Sequence, residues 1–148
     1  MTSRSEMMHL IRQVHLRFGK YFSRQFAASS LTHSQHMLMM CLLEEGAQKM
    51  NALAASLHIS TPAVTNLVDK LERSGYAKRL PHSTDRRANI IDLTTAGRKL
   101  VGEFRAESLK LLADTIGTMP APDRGAVEKF YRLLYERLGK ALEERNAK

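Results

Sequence analysis

The stretch Ser60-Thr-Pro-Ala-Val-Thr-Asn-Leu-Val-Asp-Lys-Leu-Glu-Arg-Ser-Gly75 decides the fold of this chain. Its apolar residues recur at the spacing i, i+3, i+4, i+7 and predict the buried side of a helix: Val64, Leu67, Val68 and Leu71. Thr61 is expected to cap this helix, with Pro62 at the first helical position, where the missing N–H costs no hydrogen bond. Gly75 is expected to end it.

The opposite side of the same helix carries short hydrogen-bonding side chains first and cations last: Thr61, Thr65, Asn66, Asp69, Lys70 and Arg73. A helix that reads DNA has this arrangement, because its N-terminal residues reach base edges in the major groove while its flanks hold phosphates. We therefore predict DNA contacts from this side, including Ser60 just before the helix. Any exposed helix has a polar side, so the neighbouring elements must support this interpretation.

The segments on either side of this helix complete a known arrangement. A short helix over Asn51–Leu57, capped by Asn51, leads into the three-residue turn His58-Ile59-Ser60. After Gly75, Tyr76–Leu80 and Asn89–Leu93 are expected to be strands, joined by the polar, turn-forming stretch Pro81–Ala88. A short helix, a tight turn, a second helix and a hairpin in this order predict a winged helix-turn-helix.

A strongly apolar helix is expected to lie at the centre of the core. Thr32 and Gln35 have the spacing of a capping box, in which each side chain satisfies the backbone N–H of the other. The helix that they open contains Met37–Leu43, apolar on all sides, and Gly46 is expected to end it. A helix with this composition is normally buried.

Long amphipathic helices are predicted at both ends of the chain. The first spans Met7–Phe22 and is broken over Ala27–Ser30; Thr94 caps another, and a break over Gly117–Pro122 precedes the last, from Asp123. Their apolar surface exceeds what a small DNA-binding core can cover, so we expect a second copy of the chain to bury it.

The expected fold is therefore mainly α with a small two- or three-stranded β wing, a winged helix-turn-helix with long terminal dimerisation helices. The predicted organisation is a dimerisation helix over 1–30, a DNA-binding domain over 31–99 and dimerisation helices over 100–148.

The charge of the chain indicates a polyanionic partner. The 148 residues carry a formal net charge of +8, and 43% of them are hydrophobic, enough for a packed core. Eight basic and three acidic residues lie between Lys70 and Lys99, so the positive charge is concentrated in the region that includes the predicted wing. The alternative interpretation is an ordinary solvated face.

A cytoplasmic location without a membrane partner is expected. The longest uncharged apolar run, Met37–Leu43, is far shorter than the roughly 20 residues that cross a bilayer. Met1–Glu6 is polar and has no apolar signal core. The lone Cys41 agrees with a reducing compartment, and its apolar surroundings favour a small core residue over a redox sensor.

The expected hairpin tip carries two adjacent arginines, Arg86 and Arg87. An arginine at such a tip can enter a minor groove, where narrow A·T tracts have an enhanced negative potential. Asp85 lowers the attraction to phosphate, but a carboxylate can hold a guanidinium in a fixed orientation. The alternative is a surface salt bridge of little energetic value.

Residues 31–100 resemble the MarR family of bacterial and archaeal transcriptional regulators. The resemblance is carried by Leu31-Thr32 with Gln35, by the Ser60–Glu72 helix with Gly75, and by Asp85-Arg86-Arg87 followed by Leu93-Thr94 and Gly97. It implies a homodimer of triangular outline built on the terminal helices, operator binding through the recognition helix and wing, and in many members release by a small ligand.

Two details of the resemblance concern single residues. The Asp-x-Arg motif of the family's wing corresponds to Asp85 and Arg87. Many relatives have arginine where this sequence has Asn66, so we expect a different base preference. The resemblance further suggests a small aromatic or phenolic acid as ligand, bound by basic and apolar side chains that the spacing permits to line one pocket: Arg12, His15, His33, His36 and Met37.

No arrangement of catalytic residues emerges from the sequence, and no cofactor or metal is expected. The chain has no glycine-rich phosphate loop, no nucleophile elbow and no clustered carboxylates. The predicted function is a homodimeric, sequence-specific repressor of transcription that binds a pseudo-palindromic operator. Two alternatives remain open: a nonspecific architectural DNA-binding protein, or a metal sensor using His33 and His36, which lack the usual metal-ligand spacing.

Overall fold

The computed structural model describes residues 3–81 and 89–146. Its contacts divide the chain into two compact units, Met1–Phe104 and Arg105–Lys148. The first unit includes the N-terminal helix together with the predicted DNA-binding elements. The expected division into three segments, 1–30, 31–99 and 100–148, stays a prediction.

The first unit contains most of the secondary structure. Its elements are α1 (Arg4–Ser29), α2 (His33–Glu45), β1 (Gln48–Lys49), α3 (Met50–Leu57), α4 (Thr61–Arg73), β2 (Ala77–Pro81), β3 (Asn89–Leu93) and the start of α5 (Thr95–Gly117). The rest of α5 and α6 (Ala121–Asn146) belong to the second unit. The three strands form an antiparallel sheet in the order β1-β3-β2. The predicted fold class is confirmed, with three strands among the described residues.

The core of the first unit is centred on α2. Leu38, Met39 and Leu42 of this helix are fully buried. Side chains from α3, α4, the sheet and α5 complete the same cluster: Leu53, Val64, Val68, Leu71, Ala77, Ile91, Leu93 and Val101. The position expected for α2 is therefore confirmed, although Met37 on the same helix is 44% exposed.

Capping determines where α2 begins. The Gln35 backbone N–H donates to the Thr32 hydroxyl oxygen at 3.3 Å, and the Thr32 N–H donates to the Gln35 side-chain oxygen at 2.8 Å. These two bonds satisfy two N–H groups that the first turn of a helix leaves unpaired. The predicted capping box is confirmed, and Gly46 is the C-cap as expected.

Two predicted helix caps are wrong by one or two residues. Ser60, not Thr61, caps α4: its hydroxyl accepts from the Ala63 N–H at 3.3 Å. The cap of α3 is Lys49, not Asn51, and its side chain makes no capping hydrogen bond. Because β1 pairs with β3 and leads directly into α3, the chain is already placed by the sheet and needs no side-chain cap there.

Helix lengths also differ from the prediction. α1 continues through the expected break at Ala27 and ends at Ser29, because alanine favours the helix and only Ser30 adopts a positive φ, +56°. α6 begins at Ala121 rather than Asp123, since Pro122 is tolerated in a first turn. Strand β2 covers Ala77–Pro81, one residue later than expected.

Thr94 attaches the start of α5 to the turn between α4 and β2. The Thr94 hydroxyl donates to the Gly75 carbonyl oxygen at 2.6 Å and accepts from the Gly97 N–H at 3.1 Å, so Thr94 caps α5 as predicted. A Cβ placed on Gly97 would lie 2.0 Å from the Tyr76 carbonyl oxygen. Position 97 therefore has no room for any side chain while this junction keeps its shape.

We expect Gly97→Ala to lower the free energy of unfolding by about 2–3 kcal/mol or more, because α5 or the backbone of Tyr76 must move to accommodate the methyl group. Gly102→Ala is the matched control, since it lies in the same helix with nothing within 4 Å of its added Cβ. That variant should gain about 0.5–1 kcal/mol from helix propensity. Urea unfolding of both variants provides the comparison, and wild-type stability of Gly97→Ala would contradict the close approach.

Candidate nucleic-acid interface

The turn between α3 and α4 is short and closed by backbone hydrogen bonds. His58 ends α3 in the left-handed conformation, with φ of +52°. The Ile59 N–H then donates to the Ala54 carbonyl oxygen at 3.1 Å, and Ser60 caps α4 immediately afterwards. The two helices are therefore linked by a short, hydrogen-bonded turn, as in a helix-turn-helix.

The packing of α4 decides which of its sides faces outward. Val64, Val68 and Leu71 are fully buried, and Leu67 is half-buried. On the outer side, Ser60 and four of the residues predicted to contact DNA are exposed, namely Thr61, Asn66, Lys70 and Arg73, while Thr65 is half-buried. The amphipathic division predicted from spacing is confirmed, whereas DNA contact by these six residues stays a prediction.

Some polar side chains on the outer side of α4 are engaged in hydrogen bonds within the helix, whereas Asn66 is not. The Thr65 hydroxyl donates to the Thr61 carbonyl oxygen at 3.0 Å, and Arg73 Nε donates to the Asp69 carbonyl oxygen at 3.3 Å. Asn66 makes no side-chain hydrogen bond to any residue within 3–81 or 89–146. Its amide is consequently available, as donor and as acceptor, to a molecule that approaches α4 from outside.

Strands β2 and β3 form the base of the predicted hairpin. They pair in antiparallel register from Ala77 opposite Leu93 to Pro81 opposite Asn89. The residues predicted to contact DNA from the tip, Asp85, Arg86 and Arg87, lie outside the described residues.

An ion cluster that the sequence analysis missed joins α4 to β2. The Arg79 guanidinium contacts the Asp69 carboxylate at 2.6 Å and also pairs with the Glu72 carboxylate. Glu72 accepts a further hydrogen bond, of 3.0 Å, from the Arg79 backbone N–H. The acidic residues are separated by three positions on one helix, and this spacing, followed by the turn at Gly75, was the signal available in the sequence.

Some of the cations between residues 70 and 99 are paired with carboxylates and are therefore less available to DNA. Arg79 is engaged by two acids of α4, and Arg98 at the start of α5 is paired with Asp92 of β3. Both arginines were counted as part of the basic patch, but both tie elements of the fold together. Compared with Arg79 and Arg98, Lys70 and Arg73 of α4 are therefore the better candidates for phosphate contacts.

A cavity of about 360 Å³ lies between α2, the turn after α3 and α4. Its lining is mostly apolar, with two histidines: His33, Ser34, Met37, Ser56, Leu57, His58, Ile59 and Leu67. Of the five predicted ligand-binding residues, His33 and Met37 line this cavity. Arg12 and His15 do not; they are exposed on α1, where Arg12 lies 3.4 Å from His9.

His36, the fifth predicted ligand residue, is buried and packs among aromatic rings. Its ring centroid lies 4.1 Å from that of Phe104, which in turn lies 5.2 Å from that of Phe22. Burial, with a smaller effect from nearby His33, lowers the pKa of His36 to about 4. The imidazole is therefore neutral at pH 7 and supplies no positive charge for a ligand carboxylate.

The environment of Cys41 favours its protonated form. The residue is half-buried against the core, and burial together with the Glu45 carboxylate raises the pKa of its thiol. This agrees with a small packing residue rather than a reactive thiolate.

The described part of the chain has neither a membrane-spanning helix nor a metal-binding cluster. None of its helices is long and apolar enough to cross a membrane. Within 3–81 and 89–146, no three side chains among His, Cys, Asp and Glu converge in a way that suits a metal ion.

The central segment of the chain matches a known family model. Residues 31–88, from the start of the core to the predicted wing, match the MarR family model. The transcriptional regulator TtmR of Methylorubrum extorquens strain PA1 is 29% identical over 102 residues. That match covers 69% of this chain but 50% of TtmR, so the chain spans half the length of that relative.

Solved structures share the fold at lower sequence identity. A MarR family protein from Bacillus stearothermophilus superposes with a TM-score of 0.77 at 21% identity, covering 91% of this chain and 94% of that protein. The MepR–DNA complex of S. aureus gives a TM-score of 0.72 at 21% identity, covering 88% and 98% of the respective chains. The winged helix-turn-helix architecture is thus shared with these structures.

The lowered pKa of His36 predicts a loss of stability in acid. Because the unfolded chain, with an ordinary histidine pKa near 6.5, takes up the proton before the folded chain does, the free energy of unfolding should fall as the pH drops from about 6.5 to 4. The loss should be about 1–3 kcal/mol, and the full contribution is present above pH 6.5.

Urea unfolding of wild type and of His36→Leu across that pH range measures the effect. The leucine variant should lack this part of the pH dependence, while His15→Gln, a substitution at an exposed position of α1, should retain it. An equal acid loss in His36→Leu and wild type would contradict the assignment to His36.

Proposed function

We propose that this protein, whose residues 31–88 match the MarR family model, is a homodimeric, sequence-specific DNA-binding repressor of transcription. Proteins of this family are transcriptional regulators and not enzymes. The observation that carries the proposal is the arrangement of α4, which is buried along one side, exposes Asn66 and two cations on the other, and is followed by a β hairpin.

In the proposed complex, α4 lies in the major groove and the wing follows the adjacent minor groove. The Asn66 amide donates to and accepts from an adenine edge, the pairing for which an asparagine side chain is suited. Lys70 and Arg73 bind phosphates beside it. The structural similarity to the MepR–DNA complex supports DNA as the partner.

The tip of the wing contributes the second contact. Arg87 enters the minor groove, and Asp85 holds its guanidinium in the required orientation. Arg86 adds charge near the backbone. The support for this part is the antiparallel pairing of β2 and β3, which runs from Ala77 opposite Leu93 to Pro81 opposite Asn89.

Dimerisation is proposed from the apolar surface that single chains leave exposed. On α1, Leu10 is 56% and Val14 42% exposed. On α6, a stripe at helical spacing is exposed along its length: Phe130, Tyr131, Leu134, Leu138 and Leu142. Apolar surface of this extent on a soluble protein marks an interface, and an obligate dimer buries more than about 2,000 Å².

We expect the protein to sediment at micromolar concentration as a dimer, at twice the chain mass of 16.7 kDa. Leu138→Glu should shift it toward monomer, because a charge would be buried in the interface. Leu133→Glu is the matched control, since Leu133 is similarly exposed but lies off the stripe of α6. Sedimentation of wild type as a monomer would contradict the proposed assembly.

A small aromatic or phenolic acid is proposed as the ligand that releases the repressor from DNA. The cavity beside α4 supports this, because its volume of about 360 Å³ and apolar lining suit a small molecule. His33 and Met37 would contact the ligand there. Since His36 is neutral and neither Arg12 nor His15 lines the cavity, His33 is the predicted residue that would meet the carboxylate.

Three substitutions test the DNA contacts on one operator, which two-fold symmetry requires to be an inverted repeat with half-site centres about 10 bp apart. Asn66→Ala should cost about 1–3 kcal/mol of binding free energy at one base position and relax specificity there. Arg87→Ala should weaken binding to all sequences and flatten its salt dependence, because a cation near phosphates is lost.

Asp85→Ala is the most informative variant, because the direction of its effect on DNA affinity distinguishes two roles for the carboxylate. It should weaken binding if the carboxylate orients Arg87, although removing an acid ordinarily strengthens attraction to DNA. Affinities measured at two salt concentrations distinguish these cases, and tighter binding by Asp85→Ala would contradict the wing mechanism. Excess random DNA in the same assay separates a sequence-specific regulator from an architectural protein, since it would abolish binding by the latter.

A further inference from the structure

The contact between α4 and β2 differs from an ordinary surface ion pair. One guanidinium is shared by two carboxylates of the same helix, Asp69 and Glu72. The Glu72 carboxylate also accepts the backbone N–H of Arg79, so it fixes the main chain of the strand as well as the side chain. The side chains of Arg79 and Glu72 are 30% and 28% exposed, which shields the cluster partly from water.

From this geometry we propose that Arg79 is a positioning residue for DNA recognition: it sets the orientation of the wing relative to α4 and does not itself contact DNA. The inference rests on the proposed function. It assigns to this arginine a role opposite to the one that its place in a basic patch suggests.

The chemistry of the cluster suits positioning. A guanidinium is planar and presents its N–H groups as a rigid fork, so engagement by two carboxylates restricts its direction as well as its distance. Asp69 and Glu72 lie three residues apart and therefore on the same side of α4. Their joint hold on Arg79 resists both sliding of the strand along the helix and rotation about it.

The position of the cluster allows it to control the orientation of the wing. Arg79 lies in the middle of β2, opposite Ile91 of β3, and β2 ends two residues later at Pro81. A tilt of the strand at Arg79 thus moves β2 and the paired strand β3, the described part of the wing, relative to α4. Because α4 and the tip are proposed to read two different grooves, a correct operator complex requires both at one fixed angle.

The charges of the cluster argue against a phosphate contact. One cation and two anions leave a net charge of −1, so the positive charge of Arg79 is already compensated within the protein. A phosphate would have to compete with both carboxylates for the same N–H groups. The salt dependence of binding reports this directly, since each phosphate contact contributes about 0.9 to the slope of log K against log salt.

The test uses the full-length protein, a duplex that wild type selects from a random library, and a scrambled duplex of equal length. Arg79→Met should lower affinity for the selected duplex by at least about tenfold, the scale of one lost base contact. Affinity for the scrambled duplex and its salt slope should stay at wild-type values. Circular dichroism and thermal unfolding establish that the compared variants are folded.

Two further variants distinguish positioning from charge. Arg79→Lys keeps the cation but replaces the rigid planar fork by a point charge on a flexible stem, so it should also lose preference for the selected duplex. This variant serves as well if Arg79→Met does not fold. The triple variant Asp69→Asn, Glu72→Gln, Arg79→Met removes the charge of the cluster altogether. It should remain as unselective as Arg79→Met if the bridge acts through geometry.

Several results would overturn the inference. They are a salt slope reduced by one contact on both duplexes, a wild-type preference in Arg79→Lys, or a preference restored by the triple variant. Failure of the proposed function has a different result, because wild type itself would then select no duplex from the library. The inference about Arg79 would then be wrong as well. A selective wild type with an equally selective Arg79→Met would overturn the inference alone.

Discussion

The burial of Val64, Val68 and Leu71 against the α2 core is the constraint from which the candidate interface follows. These three side chains allow α4 one rotational setting, because turning the helix would expose them and bury polar residues in their place. The outward direction of Asn66, Lys70 and Arg73 is a consequence of that packing. Recognition by α4 is therefore built on apolar contacts that never touch the partner.

Features encoded within a few residues were predictable from the sequence. The capping box at Thr32 and Gln35, the stop at Gly75 and the bounds of β3 all depend on local chemistry, and the structure has them as expected. The outer side of α4 was predictable for the same reason, since helical spacing alone identifies its apolar residues. Local ambiguity explains the misplaced cap of α4, where two hydroxyl residues, Ser60 and Thr61, adjoin.

Features that join distant segments were not predictable. β1 has two residues, too few for a periodic pattern, and exists because it pairs with β3 some forty positions later. For Arg79, the spacing of Asp69 and Glu72 before the turn at Gly75 permitted an ion cluster, but only the tertiary structure shows that α4 holds this arginine. In the candidate ligand site, spacing permitted five residues to share a pocket, but tertiary packing places His36 among aromatic rings and leaves His33 and Met37 at the cavity.

The same contact that joins β2 to α4 also closes one border of the sheet. In the order β1-β3-β2, strand β2 is at an edge, and an edge strand offers unpaired backbone groups to which another chain can add. Here the outward N–H of Arg79 is occupied by Glu72, and Pro81, two residues along the same side, has no N–H to offer. At the other edge, β1 is only two residues long. Aggregation by strand addition is thus opposed at both borders of the sheet.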